Sequence, residues 1–179
     1  MVPISPEQAI FLRNYTLPAV KNEHRTTRAV IEAIPQANLD YRPDPYSKTA
    51  MELAWHIAAS EHRFYSGVVS GAFDFSPIPR PESVQTGPQI AQWFGESFAK
   101  NAEQISALSG EQLTRMIDFR GLFQMPGVAY LNLAMNHSVH HRGQLSSYLR
   151  AMGGKIPSIY GESYDSAEAR KAAAQTAQA

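Results

Sequence analysis

The chain has 179 residues, 44% apolar and 18% charged, enough for one domain with a buried core and too apolar for extended disorder. Sixteen Lys and Arg balance sixteen Asp and Glu, so no net field draws the molecule towards nucleic acid or anionic lipid, and neither is an expected partner. Cysteine is absent, which excludes disulfides, zinc fingers, iron–sulfur clusters and a thiol nucleophile of its own, and leaves His, Asp and Glu to hold any metal.

Ser5-Pro6-Glu7-Gln8 combines a capping hydroxyl, a proline at the first helical position and a Gln three residues after the cap, which predicts a helix start. The stripe Ile10, Leu17, Val20, His24, Thr27, Ile31 and Ile34 extends this helix over residues 6–34, with Pro18 expected to kink or divide it. Residues 36–47 hold Asn38, Asp40, Pro43, Asp44 and Pro45 and read as a loop. Thr49-x-x-Glu52 is a capping box for a second helix over residues 48–70, with Leu53, His56, Ile57, Ser60, Phe64 and Gly67 along one face. Four prolines in residues 71–88 predict a long crossover along a bundle. A third helix is expected over residues 88–108, directing Ile90, Phe94, Ser97, Phe98, Ile105 and Leu108 inward.

Residues 111–127 show no run of alternating strand pattern and predict irregular chain, with Phe119, Leu122 and Phe123 tucked under the bundle. The fourth helix, residues 128–152, carries Tyr130, Ala134, His137, His141, Leu145, Tyr148 and Met152 and ends at Gly153-Gly154. From about residue 162 the Ala/Gln-rich tail reads as helical or frayed. The fold class is therefore all-α: a single antiparallel four-helix bundle spanning residues 1–179. MVPISPEQ shows no basic stretch leading into an apolar one, and the most apolar segment, residues 121–135, is broken by Gln124, Pro126 and Asn132. Neither a signal peptide nor a membrane span is expected, and the predicted location is cytoplasmic.

His137 and His141 lie four residues apart, so their imidazoles project from one face, one turn apart, within chelating distance of a single ion. That face also carries Ala134, Leu145 and Tyr148 and points inward, as does the face of the second helix that carries His56. Three neutral imidazoles would leave at least one position on a divalent ion for water or substrate. The same spacing also suits core histidines, each satisfied by one hydrogen bond. His24 reads as core or cavity-lining, and His62 and His140 fall off the inward faces.

The segment His137-Ser-Val-His-His-Arg-Gly-Gln144, followed by Leu145 and Gly153-Gly154-Lys-Ile-Pro157, closely resembles the last-helix motif of the DinB-like (DinB/YfiT) superfamily. YRPDPYSKTAMELAWHIAASEHRFY, centred on His56, resembles that family's second-helix motif. The resemblance implies up-down-down-up connectivity, a divalent ion, commonly nickel or zinc, on His56, His137 and His141, and frequent homodimers. It further implies thiol-dependent transferases and isomerases among the relatives, using low-molecular-weight thiols.

An ion on three neutral ligands keeps its double positive charge and strongly acidifies a bound water or thiol. The leading expectation is a metal-dependent enzyme that activates a thiol cosubstrate for transfer to a small-molecule electrophile. Metal-hydroxide hydrolysis is a second reading, and a noncatalytic bundle binding metal or an apolar ligand is a third. Gln144 and Tyr148, on the histidine face, are candidates for orienting a ligand or substrate; a packing hydrogen bond is the plain alternative for Gln144. Arg142 is expected in a structural ion pair or dimer contact, and Glu52 and Glu61, four before and five after His56, on exposed helix surface, with support of the His56 ligand as the alternative. Phe11, Trp55, Phe73, Phe75 and Trp93 lie beside the inward stripes and would form a dimerisation patch or pack under the long loops.

Overall fold

In the computed structural model, which describes residues 3–177, four long helices form the bundle: α1 (Pro6–Glu32), α2 (Ala50–Ser70), α3 (Gly87–Ala107) and α5 (Gly127–Ala151). The expected capping boxes at Ser5 and Thr49 both form, each satisfying two backbone donors that a helix start leaves orphaned. Helix α1 runs unbroken through Pro18, so the proline costs one backbone hydrogen bond without dividing the element. A short α4 (Gly110–Thr114) precedes a hairpin, and α6 (Tyr164–Thr176) resolves the tail as helical; residues 178 and 179 of the predicted tail lie outside the described residues.

Loop contacts set the helix directions. Gly87, at the start of α3, abuts Ile31 near the end of α1 so closely that a Cβ there would clash with the Ile31 carbonyl. At the same end Asn38 bonds the Met152 carbonyl and the Ala50 amide bonds the Tyr41 carbonyl. The ends of α1 and α5 and the starts of α2 and α3 therefore share one pole, which is up-down-down-up. Packing pairs α1 with α3 and α5, and α2 with α3 and α5, placing α1 diagonally from α2. Because α2 and α3 run parallel, residues 71–86 must cross the length of the bundle. Arg63 holds this crossover by bonding the Asp74 and Ser76 carbonyls (2.9 and 2.7 Å), and Trp55 Nε1 donates to the Ile78 carbonyl (2.9 Å).

The irregular chain expected before α5 is instead the antiparallel hairpin β1 (Met116–Phe119) and β2 (Phe123–Pro126), with Phe119 opposite Phe123. Arg120 and Gly121 turn it with φ of 58° and 70°, the positive-φ pair that tight hairpins favour. For Arg120 that backbone costs about 1–2 kcal/mol. Ile117 and Leu113 are buried, but Leu122 (75% exposed) and Phe123 (41% exposed) face outward, since two short strands have only one face to bury.

Two apolar clusters fill the poles. One joins Ile31, Leu53, Ile57, Ile90, Phe94 and Leu149; the other joins Val20, Tyr65, Ile105, Leu113, Tyr130 and Leu131. Between them lies a polar layer of buried His24, Thr27, Ser60, Glu61, Ser138 and Arg142. Of the supposed dimer patch, Trp55 packs tilted against Trp93 with ring centroids 4.6 Å apart, and Phe73 packs against Phe75, Phe119 and Tyr130, which leaves Phe11 exposed (67%).

Candidate metal centre

Helix α2 contributes His56 and α5 contributes His137 and His141, and the α2–α5 packing brings the three imidazoles together at mid-bundle. Ring centroids lie 5.1 Å (His56–His137), 4.6 Å (His56–His141) and 4.5 Å (His137–His141) apart. One candidate ligand atom from each lies within 4.8 Å of the others, and the Nε2 atoms of His56 and His141 are 3.1 Å apart. Nitrogen ligands about 2.0–2.1 Å from a tetrahedral ion lie roughly 3.3 Å from each other, so this pair already has the spacing of a shared ion.

The tautomers point the same way. Gln144 Oε1 accepts from His141 Nδ1 at 2.7 Å, which leaves the Nε2 of a neutral His141 as a lone pair directed at the site. Ser60 Oγ lies 3.4 Å from His56 Nδ1. The Nδ1 of His137 is buried with no hydrogen-bond partner, a cost of about 1–3 kcal/mol that coordination at this atom would remove. Burial, then the neighbouring His141, pushes His56 down to about 4. Burial followed by His141 and His56 does the same to His137, also to about 4. His141 falls as well, chiefly through burial, with the Gln144 bond opposing. All three are thus neutral near pH 7, as ligation requires. The donor set fits a divalent ion of the borderline class that imidazole favours.

Directly behind the triad, His24 Nδ1 meets Glu61 Oε1 at 2.6 Å and Ser138 Oγ donates to Glu61 Oε2 at 2.7 Å. His24 is core, stacked on Phe98 with centroids 3.9 Å apart. Glu61, expected on the surface, is 2% exposed, because His24 and Ser138 give each of its oxygens a hydrogen-bond partner. Arg142 makes its expected ion pair, to Glu23 at 2.6 Å, but from inside: it is itself 2% exposed and also bonds the Tyr160 hydroxyl at 2.6 Å. His62 is half-buried against Ser97 (2.7 Å), His140 is exposed, and Glu52 is spent on its helix cap. Tyr148, further along α5, directs its ring edge-on to Tyr41 at 5.6 Å.

A cavity of about 220 Å³ opens against His56 and His137. Ser60, Arg63, Phe64, Phe75, Phe119 and Arg120 complete its wall. None of these six was singled out from the sequence as a site residue. The available signals were the spacing of Ser60, four after His56, and an Arg-Gly pair between two short phenylalanine-bearing runs, residues 116–119 and 123–126.

Residues 14–176 match the model of the DinB family. The protein YjoA of Bacillus subtilis (strain 168) is 36% identical over 135 residues, covering 73% of this chain and 84% of its own length. Among solved structures, the DinB-like protein YjoA of that organism superposes with a TM-score of 0.68 at 28% identity, over 83% of this chain and 99% of its own. A DinB-like protein from Bacillus cereus ATCC 10987 superposes with a TM-score of 0.68 at 25% identity, over 81% and 95% of the two chains.

Proposed function

The chain belongs to the DinB family, and on that premise we propose that it is a metal-dependent enzyme whose His56, His137 and His141 hold one divalent ion, nickel or zinc. The observation that carries this reading is the triad itself, three neutral imidazoles from two helices, of which His56 and His137 line a cavity. Bound there, the ion would acidify a coordinated thiol or water to a nucleophile at neutral pH. The chain's own residues do the rest: Gln144 fixes the His141 tautomer, the aromatic wall excludes water, and the cavity receives the electrophile. That wall is built from His, Ser, Arg and Phe, so a nucleophile that needs a carboxylate base has none beside it. Deprotonation of the nucleophile would therefore rest on the ion, and an exogenous thiol in that role fits a chain without cysteine. Elemental analysis of purified protein tests the site. One ion per chain is expected, lost in His56→Ala, His137→Ala or His141→Ala and kept in His62→Ala and His140→Ala; undiminished metal in His137→Ala would overturn the assignment. Thiol consumption with a panel of electrophiles, abolished in the same variants, tests the reaction.

A further inference from the structure

The cavity beside the triad carries two guanidinium groups and no carboxylate. Arg63 enters from α2 and is fixed in place by its bonds to the Asp74 and Ser76 carbonyls. Arg120 enters from the hairpin turn with its guanidinium 4.4 Å from the Phe75 ring centre, and neither arginine takes part in an ion pair among the described residues. Arg120 also sits at φ 58°, where glycine would relax the turn, so the arginine is held there against the backbone's preference. Phe75 and Phe119, 5.2 Å apart and nearly perpendicular, supply an apolar corner. A volume of about 220 Å³ lies below the roughly 300–1,000 Å³ of drug-sized ligand sites, so the occupant is small.

We infer that the substrate is a small carboxylate with a compact apolar body, its charge held by Arg120 and Arg63, its body in the corner between Phe75 and Phe119, and its reacting end towards His56 and His137. Guanidinium is the side chain that matches a carboxylate with two parallel N–H donors. The aromatic wall strengthens that pairing by displacing water. This inference names the substrate class of the site proposed above and rests on that reading for the reacting end alone; the anion subsite stands on Arg120, Arg63 and the cavity.

The test titrates wild-type protein and Arg120→Gly with benzoate and with benzamide, its neutral counterpart of the same shape, by NMR. Glycine suits the positive φ, so this variant removes the charge while leaving the turn relaxed. Wild-type protein is expected to prefer benzoate by roughly tenfold, the worth of one charged hydrogen bond, with amide shifts at Phe75 and Phe119. Arg120→Gly is expected to lose that preference while its melting temperature holds or rises. Equal affinity for the two compounds, no binding of either, or a benzoate preference unchanged in Arg120→Gly would each overturn the inference. Metal content is read on the same samples, and the titration is repeated after chelator treatment. Loss of metal faults the triad alone; loss of the Arg120 dependence faults the anion subsite alone.

Discussion

Gln144 determines which nitrogen of His141 faces the site, through a single hydrogen bond of 2.7 Å. A partner of this kind sets tautomer and ring orientation, so Gln144→Ala should weaken metal affinity roughly 10–100-fold without changing the stoichiometry. Gln144→Glu, which keeps the acceptor and adds charge, should restore it; competition titration against a chromogenic chelator measures both. The pH dependence follows from the neutral triad. His56 and His137 are held at about 4 against the usual imidazole value of 6.5, so between these values the unfolded chain binds more protons than the folded one. The metal-free protein should therefore be at full stability above about pH 6.5 and lose stability steadily as the pH falls towards 4, which denaturant midpoints measured across that range will show. The triad and Gln144 were legible in the sequence because helical spacing of three and four puts them on one face. Glu61 was not, because its partner His24 lies 37 residues away and an acid beside a helix stripe reads as surface until that partner is seen. Arg63 and Arg120 escaped for the same reason: only the folded crossover and hairpin bring them to the cavity.

The long helices announced themselves through caps and stripes, and their ends fell within one or two residues of the sequence reading. The hairpin did not, because two four-residue strands offer too few alternations to register a period, and its stability comes from tertiary anchors such as the Tyr130 hydroxyl bond to the Ile117 carbonyl at 2.8 Å. Pro18 was read as an interruption, yet α1 continues past it, held on either side by buried Leu17 and Val20. Packing of the apolar face overrides a local penalty of about 3 kcal/mol. Pro18 itself is exposed, so Pro18→Ala should restore the lost backbone bond at no packing cost and stabilise the protein by about 1–3 kcal/mol. Thermal melting should rise by several degrees; an unchanged or lower melting temperature would mean that α1 had already relaxed around the proline.

At the scale of the molecule, the triad ties α2 to α5 at the level where the two apolar clusters give way to the polar layer of His24, Glu61, Ser138 and Arg142. Packed apolar poles hold the helices together, while the middle layer depends on specific polar pairs. His24 and Glu61 illustrate the cost: removing either takes a hydrogen-bond partner from a buried group, a loss of about 1–3 kcal/mol. An ion bound by His56, His137 and His141 would cross-link that layer, since two of its ligands come from one helix and one from the other. No such site exists in the unfolded chain, so metal binding adds directly to folding stability. At a free ion concentration about 100 times the dissociation constant the gain is about 2.7 kcal/mol, or roughly 5–10 °C in melting temperature for a chain of this size. Chelator treatment should lower the melting temperature by that amount, and readdition of nickel or zinc should restore it. His137→Ala should melt at one temperature whether metal is present or not, because the remaining pair, one imidazole from each helix, binds too weakly to be populated at the same concentration. A wild-type melting temperature that ignores both chelator and metal would show that the three imidazoles meet without sharing an ion.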